Sequence, residues 1–272
     1  EPFAGSAAVF LDLASNHVLA NRKAHLTDCN ADIIGCYRAV RDEVEGVIAA
    51  LEVLAERHAR DGAACYYAVR DEEFNPARAS LPAGAKRAAA YSAPLAAMLI
   101  YLNRTGFNGL FRLNSRGGFN VPIGRYTKPR IVDADNLRRV SRVLGSPHVT
   151  IAVKPFAQSL AKAEAGDFIY LDPPYAPVSG TANFTNYTAA GFSARDQDAL
   201  FARILDLART GCHIVLSNSD APSVRALYES EEARAAGLRT HEIPARRAIN
   251  VRADRRGPVT ELVVSTVAPR SG

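Results

Sequence analysis

The chain alternates short apolar segments with amphipathic ones, and this rhythm limits its fold more than any other feature does. Segments that fit β-strands span residues 24–28, 149–153, 168–171 and 213–216, with two more, 238–243 and 260–267, near the end. A helical pattern follows each of the first four segments. Strands that alternate with helices predict an α/β sheet.

Residues 46–145 interrupt this rhythm and are expected to form an insertion. Apolar residues recur at helical spacing over residues 43–58, and residues 86–103 also fit a helix. Residues 106–126 differ, because they contain five glycines, three asparagines and aromatic residues between arginines. This composition predicts a hairpin or irregular loop that presents polar groups. We therefore expect a domain formed by residues 1–45 and 146–272, with a mainly helical insertion at 46–145 that carries a β-hairpin.

Basic residues are concentrated in the insertion. The formal net charge of +5 is by itself weak evidence for a polyanionic partner. Residues 86–130, however, contain eight basic residues and no Asp or Glu, and residues 246–256 hold five arginines against one Asp. The eight are Lys86, Arg87, Arg104, Arg112, Arg116, Arg125, Lys128 and Arg130. Short basic runs are often only solvated surface, but so long a window without an acid favours contact with nucleic acid.

Cysteine spacing and hydropathy argue against several other classes. The four cysteines form no C-x-x-C pair, so we expect free thiols in a reducing cytoplasm, with neither a metal site nor a disulfide framework. The longest apolar stretch is far shorter than the ~20 residues of a membrane span, and no export signal opens the chain. The sequence starts at Glu1 without a Met, and we expect further residues to precede it.

The most specific motif is Asp172-Pro173-Pro174-Tyr175, which directly follows the apolar segment 168–171. In an open α/β sheet, ligands bind at the carboxyl ends of the strands. A carboxylate and a backbone carbonyl can accept the two N–H bonds of a base amine, which localises its lone pair and stabilises the charge that develops when it is alkylated. Asp172 supplies the carboxylate, Pro173 holds a carbonyl in place, and Tyr175 offers a ring for stacking on the base. The alternative is a simple proline-rich turn.

A second motif lies at the start of the chain, where residues 1–7 open a helix and Gly5 permits a tight turn. Asp28 ends the next apolar segment, 23 residues further on. An acid in this position commonly binds the ribose hydroxyls of a nucleoside-type cofactor. Asp28 could equally be a turn residue or a helix cap, and the sequence leaves the two roles open.

Six segments together carry a family pattern that covers nearly the whole chain. The longest, YLNRTGFNGLFRLNSRGGFNVPIGRY, spans residues 101–126, and the others occupy residues 1–11, 26–34, 66–75, 170–192 and 217–220. In these segments the chain resembles the DNA adenine N6-methyltransferases of the Dam type, the D12 class. The resemblance implies a Rossmann-like methyltransferase sheet and transfer of a methyl group from S-adenosylmethionine to N6 of adenine in duplex DNA, with GATC as the target. It also implies base flipping, because the target atom is unreachable in a stacked duplex.

The resemblance also implies roles for individual residues. The catalytic set is Asp172, Pro173, Pro174 and Tyr175, and the cofactor-binding set is Phe3, Ala4, Gly5, Asp28, Cys29, Phe156 and Asp172. The DNA-binding set is Arg104, Phe107, Asn108, Leu110, Arg112, Asn120, Pro122, Arg125 and Tyr126. Phe107 and Asn108 match the loop that wedges into the duplex beside the flipped base. Arg112 is the candidate for bidentate recognition of a guanine.

Three features depart from the family pattern. The family's opening segment, rich in lysine and glycine with a Trp that packs on the cofactor, is absent, and the chain has no Trp. Ala7 stands at the second glycine of the cofactor turn, which is tolerated if its φ is negative. Phe107 stands where close relatives carry Tyr.

Two other functions stay open at this point. D-P-P-Y also occurs in enzymes that methylate ribosomal RNA, so an RNA adenine N6-methyltransferase is an alternative. A glycine-rich, arginine-bearing loop with an aromatic wedge suits a DNA major groove better. A non-catalytic DNA-binding relative is the other alternative, although the intact D-P-P-Y argues against it. We expect a monomer from a bacterium or phage, acting alone or in a restriction–modification pair.

Overall fold

A computed structural model describes residues 1–177, 192–246 and 258–267. The chain divides into two compact units, which are described separately. The helical unit comprises residues 4–154, and the sheet unit comprises residues 1–3 together with the chain from residue 155 onward. The domain boundaries expected from the sequence remain a prediction.

The helical unit contains eight α-helices, two short turns of other helical types and two strands among its residues. In chain order they are α1 (Ala8–Ser15), β1 (Ala24–Asp28), α2 (Ala31–Asp42), α3 (Val44–Asp61), α4 (Ala63–Ala68), a π-helical turn (Val69–Phe74), α5 (Asn75–Ala79), α6 (Gly84–Ala89), α7 (Ala93–Thr105), a 3₁₀ turn (Phe107–Gly109), α8 (Ala134–Leu144) and β2 (Val149–Val153). β1 and β2 pair in parallel, with Asp28 opposite Val153. A large apolar core, which includes Tyr66 and Tyr101, lies among the helices.

The sheet unit holds a four-stranded sheet in the order β3-β4-β6-β5. Its elements are α9 (Phe156–Leu160), β3 (Phe168–Leu171), α10 (Ala194–Thr210), β4 (His213–Ser219), α11 (Pro222–Tyr228), α12 (Glu231–Ala235), β5 (Arg239–Arg246) and β6 (Pro258–Ser265). β3 and β4 run parallel, and β6 lies antiparallel to both of its neighbours. All six strands expected from the sequence are therefore present, and the mixed α/β class is confirmed.

The single helix expected over residues 86–103 is wrong, because the chain breaks between α6 and α7. Ser92 caps α7 by accepting the Leu95 N–H at 3.4 Å, and Pro94 follows in the first turn of that helix. Proline lacks an N–H and its ring clashes with the preceding turn of a helix, so it is stable at a helix start and disruptive in an interior. The pair Ser92 and Pro94 therefore starts a new helix.

Residues 106–126 form an irregular loop with limited antiparallel pairing. Two isolated bridges join Gly106 to Ile123 and Leu113 to Phe119. The polar, glycine-rich composition thus produces a hairpin-like loop without a regular ladder of hydrogen bonds. We call residues 106–126 the recognition loop, after the role that the family resemblance implies for them.

Asn30 caps α2, and Asn is among the residues preferred directly before a helix. Its Oδ1 accepts the N–H groups of Asp32 at 3.0 Å and Ile33 at 3.4 Å. Asn30→Ala should lower the free energy of unfolding by about 1 kcal/mol, because two helix N–H groups lose their acceptor. Thermal or urea unfolding would measure the change. Asn30→Ser retains a capping oxygen and should lose less, so equal stability of the two variants would contradict this role.

Candidate active site

The D-P-P-Y segment lies at the carboxyl end of β3, beside the end of the parallel strand β4. The parallel register places Leu171 opposite Leu216, so Asp172 and Ser217 follow at the same edge of the sheet. The Ser217 hydroxyl donates a hydrogen bond of 2.8 Å to Asp172 Oδ1. One carboxylate oxygen of Asp172 is thus held by the protein, and the carboxyl group has a defined orientation.

Neighbouring side chains hold the rest of the segment in place. Gln197 on α10 donates to the Pro174 carbonyl at 3.1 Å, and the Ala176 N–H donates to Asn218 Oδ1 at 3.2 Å. Ser219 Oγ donates to the Ala176 carbonyl at 2.6 Å. Among the described residues, no donor bonds the Pro173 carbonyl, whereas the next carbonyl is taken. Within the described part of the chain, the Pro173 carbonyl and the second oxygen of Asp172 are therefore the acceptors without a bonded donor.

Desolvation, a hydrogen bond and a nearby charge together shift the pKa of Asp172. Desolvation by the surrounding protein raises the pKa of Asp172 above its ordinary value, the hydrogen bond from Ser217 opposes this rise, and the Glu261 carboxylate adds to it. Asp172 is nevertheless open to solvent as a residue, so desolvation acts on it less than it would on a buried acid. Glu261 on β6 also accepts a hydrogen bond of 3.2 Å from the Tyr175 hydroxyl.

Three aromatic rings form a cluster in the same unit. Phe3 stacks on Phe156 with ring centroids 5.6 Å apart, and Phe192 packs against both rings at 5.8 and 6.0 Å. The rings are only partly buried, so they offer apolar faces for a further planar group. The structure brings together the Phe3 and Phe156 of the expected cofactor set and adds Phe192 to them.

The other expected cofactor residues lie in the helical unit, where Asp28 organises the first turn. Asp28 Oδ2 accepts the Gly5 N–H at 3.0 Å, and its Oδ1 accepts the Asn30 N–H at 2.8 Å. Gly5 has a φ of 46°, and its carbonyl accepts a 2.7 Å hydrogen bond from the Tyr37 hydroxyl. Asp28 is buried, and burial raises its pKa despite these hydrogen bonds. Asp28 therefore holds the backbone of this turn, and its contact with a ribose stays a prediction.

Two details beside this turn concern Ala7 and Cys29. The φ of Ala7 is 50°, so the condition that it be negative is not met, and an alanine occupies the left-handed region that favours glycine. Cys29 follows Asp28, and desolvation and the negative charge of Asp28 raise the pKa of its thiol to about 11. The thiol is therefore neutral at pH 7 and is a poor nucleophile.

The recognition loop is fixed to the helical unit at several points. The Phe107 N–H donates to the Pro122 carbonyl at 2.8 Å, and the Tyr66 hydroxyl donates to the Val121 carbonyl at 2.9 Å. Asn108 has a φ of 53°, a conformation that Asn tolerates better than most residues. Phe107 and Leu110 are half-buried against the helical core. The base of the loop is thus well supported, and Asn108 and Pro122 are exposed.

The cations of this region are largely available for a ligand. Arg104, Arg112, Arg116, Arg125 and Lys128 are exposed and form no ion pair with the described acidic residues. Arg112 Nε donates to Asn120 Oδ1 at 2.8 Å, and its Nη2 donates to the Asn120 carbonyl at 3.2 Å. These two contacts orient the guanidinium. Tyr126, at the end of the recognition loop, is also exposed, with 48% of its surface accessible.

Several residues of the site were not expected from the sequence. Ser217 and Asn218 belong to the family segment 217–220, and their place after an apolar strand was the signal that could have identified them. Phe192 similarly ends the segment 170–192. Gln197 and Glu261 carry no such signal, because a helix and an antiparallel strand bring them to the site. In the part of the chain that the structure describes, no three His, Cys, Asp or Glu residues are arranged to hold a metal ion.

An acidic group and a backbone carbonyl at the end of a parallel strand are the two acceptors that an enzyme acting on the amine of a nucleic-acid base would need. The family model of the D12 class N6 adenine-specific DNA methyltransferases matches residues 1–249. The chain belongs to this family. It is an enzyme that methylates N6 of adenine in DNA, and the RNA and non-catalytic alternatives are not favoured.

Named relatives match almost the whole chain. The Type II methyltransferase M1.LlaDCHI of Lactococcus lactis subsp. cremoris is 35% identical over 97% of this chain and 84% of its own length. The Type II methyltransferase M.MjaIII of Methanocaldococcus jannaschii is 34% identical over 94% and 83%. The DNA adenine methylase of Escherichia coli is 33% identical over 97% of this chain and 84% of its own length.

Within the described ranges, no helix is both long and apolar enough to cross a membrane.

Proposed function

We propose that this chain transfers a methyl group from S-adenosylmethionine to the N6 amine of an adenine flipped out of duplex DNA, within GATC. The observation that carries the proposal is the pair of acceptors after β3. Asp172 has one oxygen held by Ser217 and the other available, and the neighbouring Pro173 carbonyl is unbonded among the described residues. Two acceptors on adjacent residues match the two N–H bonds of an exocyclic amine.

The residues of this segment act on the amine directly. The lone pair of adenine N6 is delocalised into the ring, so the amine is a weak nucleophile. Hydrogen bonds from its two N–H groups to Asp172 and Pro173 favour a tetrahedral nitrogen with a localised lone pair. As the methyl group is transferred, the nitrogen becomes positive, and the Asp172 carboxylate stabilises that charge until the amine releases a proton to solvent. Tyr175 provides the ring on which the base stacks.

The cofactor-binding residues in this proposal are Phe3, Ala4, Gly5, Asp28, Cys29, Phe156 and Asp172. When bound, S-adenosylmethionine would supply a methyl group activated by its sulfonium, and its demethylated product would be a neutral thioether. The rings of Phe3 and Phe156 are suited to an adenine, because their partly buried faces permit stacking. Gly5 keeps the backbone of the turn compact, which allows close approach of a ligand. Asp28 holds this turn through hydrogen bonds from the N–H groups of Gly5 and Asn30.

DNA recognition in this proposal belongs to the recognition loop and the end of α7. Phe107 and Asn108 enter the duplex beside the flipped base, and the exposed cations contact phosphates. Arg112 reads a guanine, and Asn120 orients its guanidinium. The remaining members of this set, Arg104, Leu110, Pro122, Arg125 and Tyr126, contact bases or the backbone around the target.

The protonation state of Asp172 should govern the acid limb of the pH–rate profile, where the methylation rate falls at low pH. The carboxylate accepts the amine N–H more strongly than the protonated acid does and also stabilises the positive nitrogen, so single-turnover methylation should fall as pH drops through the pKa of Asp172. Ser217→Ala removes a hydrogen bond to the carboxylate, which raises that pKa and moves the acid limb to higher pH. Glu261→Gln removes a negative charge and should move the acid limb to lower pH. Identical pH profiles for the three proteins would contradict this assignment of Asp172.

Tritium transfer from labelled S-adenosylmethionine tests the proposal as a whole. Two duplexes are compared that differ only in carrying GATC or a scrambled site. Label on the GATC duplex alone, recovered as N6-methyladenine after digestion, is the expected result. Equal labelling of both duplexes would overturn GATC as the target, and label on neither would overturn the use of this methyl donor.

We also propose a domain organisation, an oligomeric state and a cellular location for this protein. Residues 1–45 and 146–272 form the catalytic domain with a Rossmann-like sheet, and residues 46–145 form the target-recognition insertion with its hairpin. The protein acts as a monomer in the cytoplasm of a bacterium or of a phage-infected cell. Analytical ultracentrifugation of the free protein tests the oligomeric state.

A further inference from the structure

A buried arginine joins α2 to the recognition loop within the helical unit. Arg78 on α5 is 7% exposed, and Asp32 in the first turn of α2 is 2% exposed. Arg78 Nε donates to Asp32 Oδ2 at 2.8 Å, and its Nη2 lies 2.7 Å from the same oxygen. The third nitrogen, Nη1, donates to the Gly117 carbonyl in the recognition loop. One guanidinium thus bonds a helix carboxylate and the loop backbone at the same time.

A second residue of α5 bonds the loop two residues further on. Asn75 Nδ2 donates to the Phe119 carbonyl at 3.0 Å, and Asn75 Oδ1 accepts the Phe119 N–H at 2.8 Å. The side-chain amide therefore pairs with the backbone of Phe119 as a neighbouring strand would. The Phe119 ring is fully buried and packs edge-on against Phe74 and Phe111. Together, Asn75 and Arg78 fix the backbone of residues 117–119.

This fixed backbone immediately precedes the partner of Arg112. Asn120 follows Phe119, and its side chain and carbonyl hold the Arg112 guanidinium. The Asn120 N–H in turn donates to the Arg112 carbonyl at 3.2 Å. The direction in which Arg112 points therefore depends on where residues 117–119 lie, although Asn75 and Arg78 belong to a different element.

From this arrangement we infer that Arg78 and Asn75 are positioning residues that set the sequence specificity of the enzyme. They act through the backbone of residues 117–119 and through Asn120 on the guanidinium of Arg112. The inference rests on the proposed role of Arg112 in reading a base. Asp32 is the anchor of the arrangement, because a buried guanidinium requires a buried negative partner.

The shape of the guanidinium explains why a lysine at position 78 would not make both contacts of Arg78. The planar guanidinium presents several N–H donors in fixed directions, so it reaches Asp32 and Gly117 simultaneously. A lysine ammonium would keep the ion pair with Asp32 but would not reproduce the fork. Arg78→Lys therefore removes the loop contact while the buried charge stays paired, which makes it a sharper test than a neutral substitution.

The test measures binding of GATC and scrambled duplexes by fluorescence anisotropy, without the methyl donor. Arg78→Lys should reduce the preference for GATC about tenfold, within the range that one good base contact provides. Affinity for the scrambled duplex should stay unchanged, because the exposed cations that contact phosphates remain in place. Asn75→Ala should reduce the preference in the same direction. A melting temperature for each variant identifies any that fails to fold.

Arg57→Lys is the control, because Arg57 also forms a two-bond fork with a carboxylate, that of Glu73, and bonds no described residue of the recognition loop. It should keep the GATC preference. A folded Arg78→Lys that also keeps its preference would overturn the inference, as would equal loss of affinity for both duplexes. Absence of any preference in the unchanged protein would instead overturn GATC as the target in the proposed function.

Discussion

Asp172→Ala should lower the rate of methyl transfer by about 10²–10³-fold or more, the loss seen when one preorganised group that stabilises transition-state charge is removed. In the proposed mechanism, the carboxylate contacts the amine only after the base has been flipped and stabilises the charge that forms during transfer. Duplex binding should remain largely intact, because the exposed cations lie on another segment of the chain. Single-turnover methylation and a DNA-binding titration measure the two properties separately.

Asp167→Asn is the matched control for this experiment. Asp167 precedes β3 at the opposite end of the same strand and is exposed, and it accepts the Glu164 N–H at 2.9 Å. Its replacement should leave the transfer rate close to that of the unchanged protein. Loss of DNA binding in Asp172→Ala would contradict a role confined to the flipped base, and a transfer rate near normal would show that Asp172 is not catalytic.

Arg112→Ala should weaken binding to the preferred sequence by about 1–3 kcal/mol, the value of one bidentate contact with a base. The loss should be confined to one base pair of the site, so the enzyme should accept substitutions there more readily. The guanidinium is exposed and already oriented by Asn120, so little entropy is lost when it meets the base. Competition among duplexes with single substitutions in GATC would identify the base pair concerned.

Arg116→Ala provides the comparison for Arg112→Ala. Arg116 is exposed in the same loop and forms no ion pair with the described acidic residues, so it is available for a phosphate. Its replacement should weaken binding to every sequence equally and reduce the dependence of affinity on salt. If Arg112→Ala behaves in the same way, Arg112 is a phosphate contact, and the base-reading role is wrong.

Local sequence patterns were sufficient to predict much of the secondary structure. The six strands follow from short apolar segments, and the cap of α2 follows from Asn30 before a helical pattern. The break between α6 and α7 was missed although Ser92 and Pro94 signal a helix start, because the apolar pattern continues across it. Local chemistry also singled out Asp172 to Tyr175, since four unusual residues directly follow a strand.

Contacts between distant segments account for what such patterns missed. Ser217 meets Asp172 across 45 residues because β3 and β4 pair in parallel, and Glu261 meets Tyr175 across 86 residues through β6. Neither pairing leaves a periodic signal in the chain. The hydrogen bond from the Gly5 N–H to Asp28 likewise joins residues 23 positions apart, which the sequence alone does not show. Residue types and short spacings thus specify the strands, the helix cap and the D-P-P-Y motif. The partners that orient Asp172, Asp28 and Arg78 depend instead on strand pairing and helix packing. Pairing and packing bring together residues that are far apart in the sequence, and their separation in the chain carries no information about their contact.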